Sequence, residues 1–169
     1  MALVGCNTVS KAPSPSMDKD IQHYIPFFID KFLETTQSKK SKIFSVSSKY
    51  INEEVAAVSI VPRNVKIPIY DNEISAQSHI PSKHEVRNGK LFIWNDKNVQ
   101  PTEDIVKVYG EFGILLYPDS LGIIHQETKI DETIKGVDYY FCRNNIEKYK
   151  SEVTNIGFGY YPYPKLKCE

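Results

Sequence analysis

Four histidines, His23, His79, His84 and His125, are the first residues to weigh for chemistry. His79 and His84 stand five apart, which puts them on neither the i,i+4 face of a helix nor one face of a strand. A metal site would need further ligands in a suitable geometry, and no Cys or acidic cluster lies near either in the sequence. Serine nucleophiles fare no better. The chain contains no G-x-S-x-G elbow, and its serines gather near the N-terminus and between Ser38 and Ser48, where solubility accounts for them. Gly157-Phe158-Gly159 lacks the lysine and the strand-to-helix setting of a phosphate loop. The paired acids Glu53-Glu54 and Glu103-Asp104 read as solvated turns or strand ends, whereas carboxylate catalysis requires two acids converging across a cleft with separated pKa values. The expectation is a protein that is not an enzyme and that uses no metal and no cofactor.

The three cysteines, Cys6, Cys142 and Cys168, carry more information. Leu3-Val4-Gly5-Cys6 resembles the lipobox of bacterial lipoproteins, in which the peptide bond before the Cys is cut and a diacylglycerol is attached to its sulfur. A complete signal has a basic n-region and an apolar h-region of about 7–15 residues. Only Met1 to Gly5 precede Cys6, so either the coding start lies upstream of Met1 or the chain is a cloned fragment. Asn7 to Met17 has the Ser/Pro composition of an extended spacer. If Cys6 takes lipid, Cys142 and Cys168 remain as an even pair in an oxidising compartment, where disulfides persist. Such a bridge would close a loop of about 25 residues and stabilise by roughly 3 kcal/mol in the chain-entropy model. In a cytosolic chain the same two residues would be free thiols, Cys142 buried and Cys168 exposed.

Elements that could position these residues follow from length and periodicity. The chain has 169 residues, enough for one ordinary domain after a tether over residues 1–17, which leaves 18–169 as a single β-rich unit. Its 21 basic and 21 acidic residues balance, and the longest basic run is Lys39-Lys40, so nucleic acid is not an expected partner. No stretch of 18 or more apolar residues occurs, which leaves an N-terminal lipid as the expected membrane contact. Behind Pro26, the residues Phe28, Ile29, Phe32 and Leu33 recur at helical spacing and predict one short helix.

From Lys42 onward the period changes to two. Strands are predicted at residues 43–46, 55–61 and 65–70, the last at an edge because Pro68 cannot donate to a ladder. His84 to Trp94 reads as a hairpin turning at Asn88-Gly89, the pair that accommodates a type I′ turn. Further strand candidates are residues 105–109, 112–117, 122–125, 137–142 and 156–161, with turns at Pro118-Asp119-Ser120 and Arg143-Asn144-Asn145. Residues 146–153 suit either a helical turn, with Ile146, Tyr149 and Val153 inward, or a polar strand or loop, and the second reading is preferred. About eight short strands at this spacing predict a mainly β fold, an antiparallel sandwich or open barrel.

Eleven tyrosines complete the picture, many of them near the C-terminus. Tyr160-Tyr161-Pro162-Tyr163-Pro164 is stiffened by its prolines and offers phenols, which are enriched at protein interfaces. Tyr161 and Tyr163 are the more exposed candidates and Tyr139 the less. Half of an alternating set must face the core, so packing along a sheet edge is the competing role.

The lipobox, the tether, the Asn88-Gly89 hairpin entering Lys90-Leu91-Phe92-Ile93-Trp94, and Tyr117-Pro118-Asp119-Ser120 before another strand together resemble small periplasmic lipoproteins, among them the immunity proteins of type VI secretion effectors. The likeness covers roughly residues 80 to 160 and the N-terminus. The chain departs from that family's pattern where Cys residues are usual, having Phe92 and, nearby in the second case, Leu121 instead. The resemblance implies a lipid-anchored periplasmic protein, at the outer rather than the inner membrane given Asn7 after Cys6, which binds a lipase or peptidoglycan hydrolase toxin and occludes its active site. Contacts would come from residues 71–83, residues 95–104 or the tyrosine-rich tail, with Trp94, Asp96, Tyr160, Tyr161 and Tyr163 as candidates. A structural or assembly lipoprotein of the envelope or of a secretion apparatus is the alternative, followed by a small envelope hydrolase and a carrier of an apolar ligand.

Overall fold

The structure, a computed structural model, describes residues 20–62, 81–96, 99, 107–108, 111–112, 135–154 and 162–168. The N-terminal tether, the strand candidates 65–70, 122–125 and 156–161, and the turn at residues 118–120 lie outside the described residues.

Two helices open the described chain, α1 (Asp20–His23) and α2 (Ile25–Leu33). Pro26 sits in the first turn of α2, where its missing N–H costs nothing. Ile25, Phe28, Ile29 and Phe32 form the buried stripe, while Leu33 is only partly covered. Free carbonyls at the helix end are met by side chains: Thr35 Oγ1 donates to the Phe32 carbonyl (2.7 Å), and Ser38 Oγ lies within reach of the Leu33 (3.1 Å) and Thr35 (2.7 Å) carbonyls. A 3-10 turn over Thr36–Lys40 then delivers the chain to the sheet.

Six strands follow: β1 (Ile43–Tyr50), β2 (Val55–Pro62), β3 (Lys83–Arg87), β4 (Lys90–Trp94), β5 (Gly136–Cys142) and β6 (Asn145–Thr154). They form one sheet in the order β3-β4-β1-β2-β5-β6. Neighbours are antiparallel except β1 and β4, which run parallel with Phe44 beside Phe92. The protein is thus mainly β with a short helix, as expected. The sheet is mixed and not closed, with β3 and β6 as the edges of the described sheet; the parallel β1–β4 pair corrects the expectation of a wholly antiparallel arrangement. A sandwich needs a second sheet, and the described strands form a single one. The parallel contact is long-range in sequence, so no local turn announces it. It is held by the Leu91 amide on the Lys42 carbonyl (2.8 Å) and by Lys90 Nζ on the Ser41 carbonyl (3.0 Å).

Local chemistry explains the hairpins. Asn52 Oδ1 accepts from the amides of Glu54 (2.9 Å) and Val55 (2.8 Å), closing the β1–β2 turn and leaving Glu53 and Glu54 exposed. Asn88 and Gly89 carry φ of 50° and 68°, the two positive values of a type I′ turn between β3 and β4. Arg87 beside that turn pairs with Asp30 on α2 and with Glu85, pinning the hairpin to the helix. Gly136 opens β5 where a Cβ would meet the Ile60 carbonyl at 2.5 Å, so no side chain fits.

Residues 146–153 lie in a strand, with a register irregularity at Phe141/Cys142 that brings both Ile146 and Tyr149 against the helix-side core and leaves Val153 49% exposed. The strand expectation for residues 105–109 and 112–117 is corrected where the structure describes them. Lys107, Val108 and Glu111 are helical, and the Phe112 amide donates to the Val108 carbonyl (3.3 Å). Short apolar runs suit either period, and here the helical one wins.

The main core lies between α2 and one face of the sheet. Phe28 packs on Phe141 (4.8 Å between ring centroids) and Tyr139 (5.1 Å), and Phe32 on Phe44 (4.9 Å). Phe44 in turn stacks on Phe92 (5.2 Å), a direct product of the parallel register. Ala56, Val58 and Ile60 of β2 complete this layer, while Val55, Ala57 and Ser59 point to the far face. Strands β2 and β5 are buried along both faces for most of their length, which accounts for their nearly continuous apolar sequence.

Candidate functional site

On the far face, residues 162–168 form a strap across the sheet. Its end is fixed by a disulfide between Cys142 at the end of β5 and Cys168, with Cα atoms 5.3 Å apart. Asn144 Nδ2 donates to the Cys168 carbonyl (2.8 Å) and Lys150 Nζ to the Lys165 carbonyl (2.8 Å). Tyr163 and Leu166 lie over Val55, Ala57 and Tyr140 to make a second, smaller core. The strap therefore encloses apolar area that the sheet alone would leave exposed.

Beside the strap runs a polar row that alternation and register assemble. Ser59 on β2 stands opposite Asp138 on β5, and its Oγ donates to Asp138 Oδ1 at 2.5 Å, both residues being fully buried. Tyr140, next on the same face of β5, packs its ring 5.8 Å from that of Tyr163. Lys49 on β1 closes the row, its Nζ donating to Tyr163 Oη at 2.7 Å and lying 4.6 Å from that ring's centroid. Burial is the main cause that raises the Tyr140 pKa, with the charges of Asp138 and Glu152 adding to it. On the helix side, burial likewise raises that of Tyr139, with Tyr149 and Glu34 contributing.

A hydroxyl hydrogen-bonded to a carboxylate is half of a nucleophile's equipment, but burial withholds it from any substrate. The chemistry it supports is structural: the hydroxyl satisfies a carboxylate oxygen that would otherwise be costly to enclose. The tyrosines set a pH limit. Their folded pKa values lie above the unfolded value of about 10, so the folded state holds these protons where the unfolded chain has begun to release them. Their contribution is complete below pH ~10 and is lost as pH rises toward the folded values. Denaturant midpoints are expected to fall above about pH 10, and Tyr139→Phe with Tyr140→Phe should flatten that fall.

Of the residues singled out in the sequence, those the structure describes do not converge on one place. Trp94 ends β4 with its ring against the helix-side core, and its indole N–H is buried without a partner among the described residues. Asp96 pairs with Lys83 (3.0 Å) and its side chain is 13% exposed; its amide donates to Ser82 Oγ (2.6 Å). This is the bracing of a hairpin base. Tyr163 is half-buried in the strap, and the disulfide joins Cys142 to Cys168 as the even pair suggested. Cys6, Tyr160, Tyr161 and His79 lie outside the described residues, as does most of residues 71–83 and 95–104. His84 lies on the edge strand β3.

Sequence reasoning missed Ser59, Asp138 and Lys49. A signal did exist: Ser59 is the lone polar residue within Val55 to Val61, and Asp138 the lone charge within Val137 to Cys142. Two such isolated polar residues in apolar strands ask to be paired with each other.

Fold and site together define a class: an open mixed sheet with helices on one face and a disulfide-fixed strap on the other. No protein-family model matches the chain, and no curated protein or solved structure matches it. Among the described residues no helix is long and apolar enough to cross a membrane.

Proposed function

We propose that the protein is a lipid-anchored periplasmic binding protein that neutralises a secreted antibacterial toxin by covering its active site. The observation that carries the compartment is the Cys142–Cys168 disulfide, since such bridges persist where thiols are not kept reduced. With those two cysteines joined, Cys6 in Leu3-Val4-Gly5-Cys6 is the thiol left for lipid, and the tether after it gives the domain reach. Occlusion needs a rigid scaffold and a complementary surface. The strap and the two cores supply rigidity, and the resemblance to type VI immunity lipoproteins supplies the class of partner, a lipase or a peptidoglycan hydrolase. Specificity in such a protein rests on a few aromatic or charged anchors.

The test is a protection assay joined to affinity capture. The toxin candidate encoded beside this gene is directed to the periplasm with and without the exported protein. Survival only with the protein, together with a purified complex in which the toxin's hydrolysis is suppressed, is the expected result. Capture of membrane machinery with no protection would instead assign the protein to envelope assembly.

A further inference from the structure

Strand β6 is the longest in the sheet, and its outer edge is open among the described strands. It differs from the opposite edge. On β3 the charges are consumed within the molecule, Arg87 by Asp30 and Glu85, and Lys83 by Asp96. On β6, Lys150, Ser151 and Val153 are exposed; the Lys150 ammonium donates to the Lys165 carbonyl of the strap (2.8 Å) but meets no carboxylate, and among the described residues no ion pair engages Glu147 or Glu152. Lysines on an edge usually oppose pairing with another strand, so the order of charges along β6 decides what it can accept.

We propose that β6 pairs antiparallel with β6 of a second copy of this chain, about a two-fold axis at Ser151. An antiparallel ladder keeps opposed side chains on one face, so a two-fold relation must centre on a residue. Centring on Lys148, Lys150 or Glu152 sets that residue against its own copy, and centring on Tyr149 sets Lys148 against Lys150; each opposes like charges. Centring on Ser151 opposes none. Lys150 then faces Glu152 of the second copy, and Glu152 faces its Lys150, on the face that also carries Asp138 and Tyr140. On the helix face, Val153 faces Tyr149 of the second copy, and the 49% exposed valine gains an aromatic neighbour. Lys148 falls opposite Thr154. The pairing is isologous and closed, so it ends at a dimer and joins two sheets through their edges.

The experiment is sedimentation equilibrium of the full chain over a concentration series, with Lys150→Glu and Glu152→Lys as variants. The native chain is expected to shift from one to two copies as concentration rises. Each variant alone sets like charges across both symmetric pairs and weakens association by about tenfold or more. An equimolar mixture of the two variants restores it, because every opposed pair in the mixed dimer is then oppositely charged; a merely misfolded variant would not recover on mixing. A native chain that stays monomeric throughout, a dimer indifferent to both changes, or variants that fail to recover together would each overturn the proposal.

Discussion

Phe28→Ala is expected to lower the unfolding free energy by about 3–5 kcal/mol, the range for truncating a large buried aromatic. Phe28 is fully buried. Its ring meets Phe141 at 4.8 Å, Tyr139 at 5.1 Å and Tyr149 at 5.8 Å, so removing it strips one wall from side chains on both β5 and β6. Those neighbours are fixed by the ladder and cannot collapse into the space, which puts the cost toward the upper end. Denaturant titration reads the loss, and the slope of the transition should stay constant if the native fold is retained. A loss below about 1 kcal/mol would mean that α2 does not pack on the sheet as described.

The second large effect belongs to the other face. Replacing Cys142 and Cys168 with Ser should cost about 3–4 kcal/mol, because the bridge spans a sequence separation of 26 and constrains the unfolded chain accordingly. Native-state hydrogen exchange gives the loss a location. Amides of the strap and around Tyr140 should lose protection, while α2 and the helix face of β5 keep theirs. Phe28→Ala should do the reverse. Because the two changes act on opposite faces, their costs should add within about 0.5 kcal/mol. An unchanged midpoint on reduction would show that the strap is held by its non-covalent contacts, the packing of Tyr163 and Leu166 and the hydrogen bonds from Lys49, Asn144 and Lys150.

Much of the frame could be read from residue types because the determinants are local. Pro26 with the Phe28, Ile29 and Phe32 stripe specifies α2, and Asn88-Gly89 specifies its hairpin through two positive φ angles. The disulfide could be inferred from cysteine number once Cys6 is set apart by its resemblance to a lipobox, which leaves Cys142 and Cys168 as a pair. What could not be read is long-range. Nothing near Phe44 says that Phe92 will lie beside it in a parallel pair, and no turn between them encodes it. The same holds for Ser59 and Asp138, which meet only once β2 and β5 are in register. Asp96 and Trp94 stood out by residue type, yet type does not reveal that the carboxylate is already engaged by Lys83 or that the indole packs on the core. The helical turn at Lys107 and Val108 was lost for a related reason: a short apolar run carries too little periodicity to separate the two states.

As proposed, this domain works outside the reducing cytosol, strapped by a disulfide and held by lipid on Cys6. The most direct test is mass spectrometry of the protein expressed from its full genomic locus, digested without reduction, beside a Cys6→Ser variant. A peptide pair joined through Cys142 and Cys168, and a diacylglyceryl mass on Cys6 that the variant lacks, are expected. An unmodified Cys6 accompanied by two free thiols would contradict the proposal and remove the ground for a periplasmic partner.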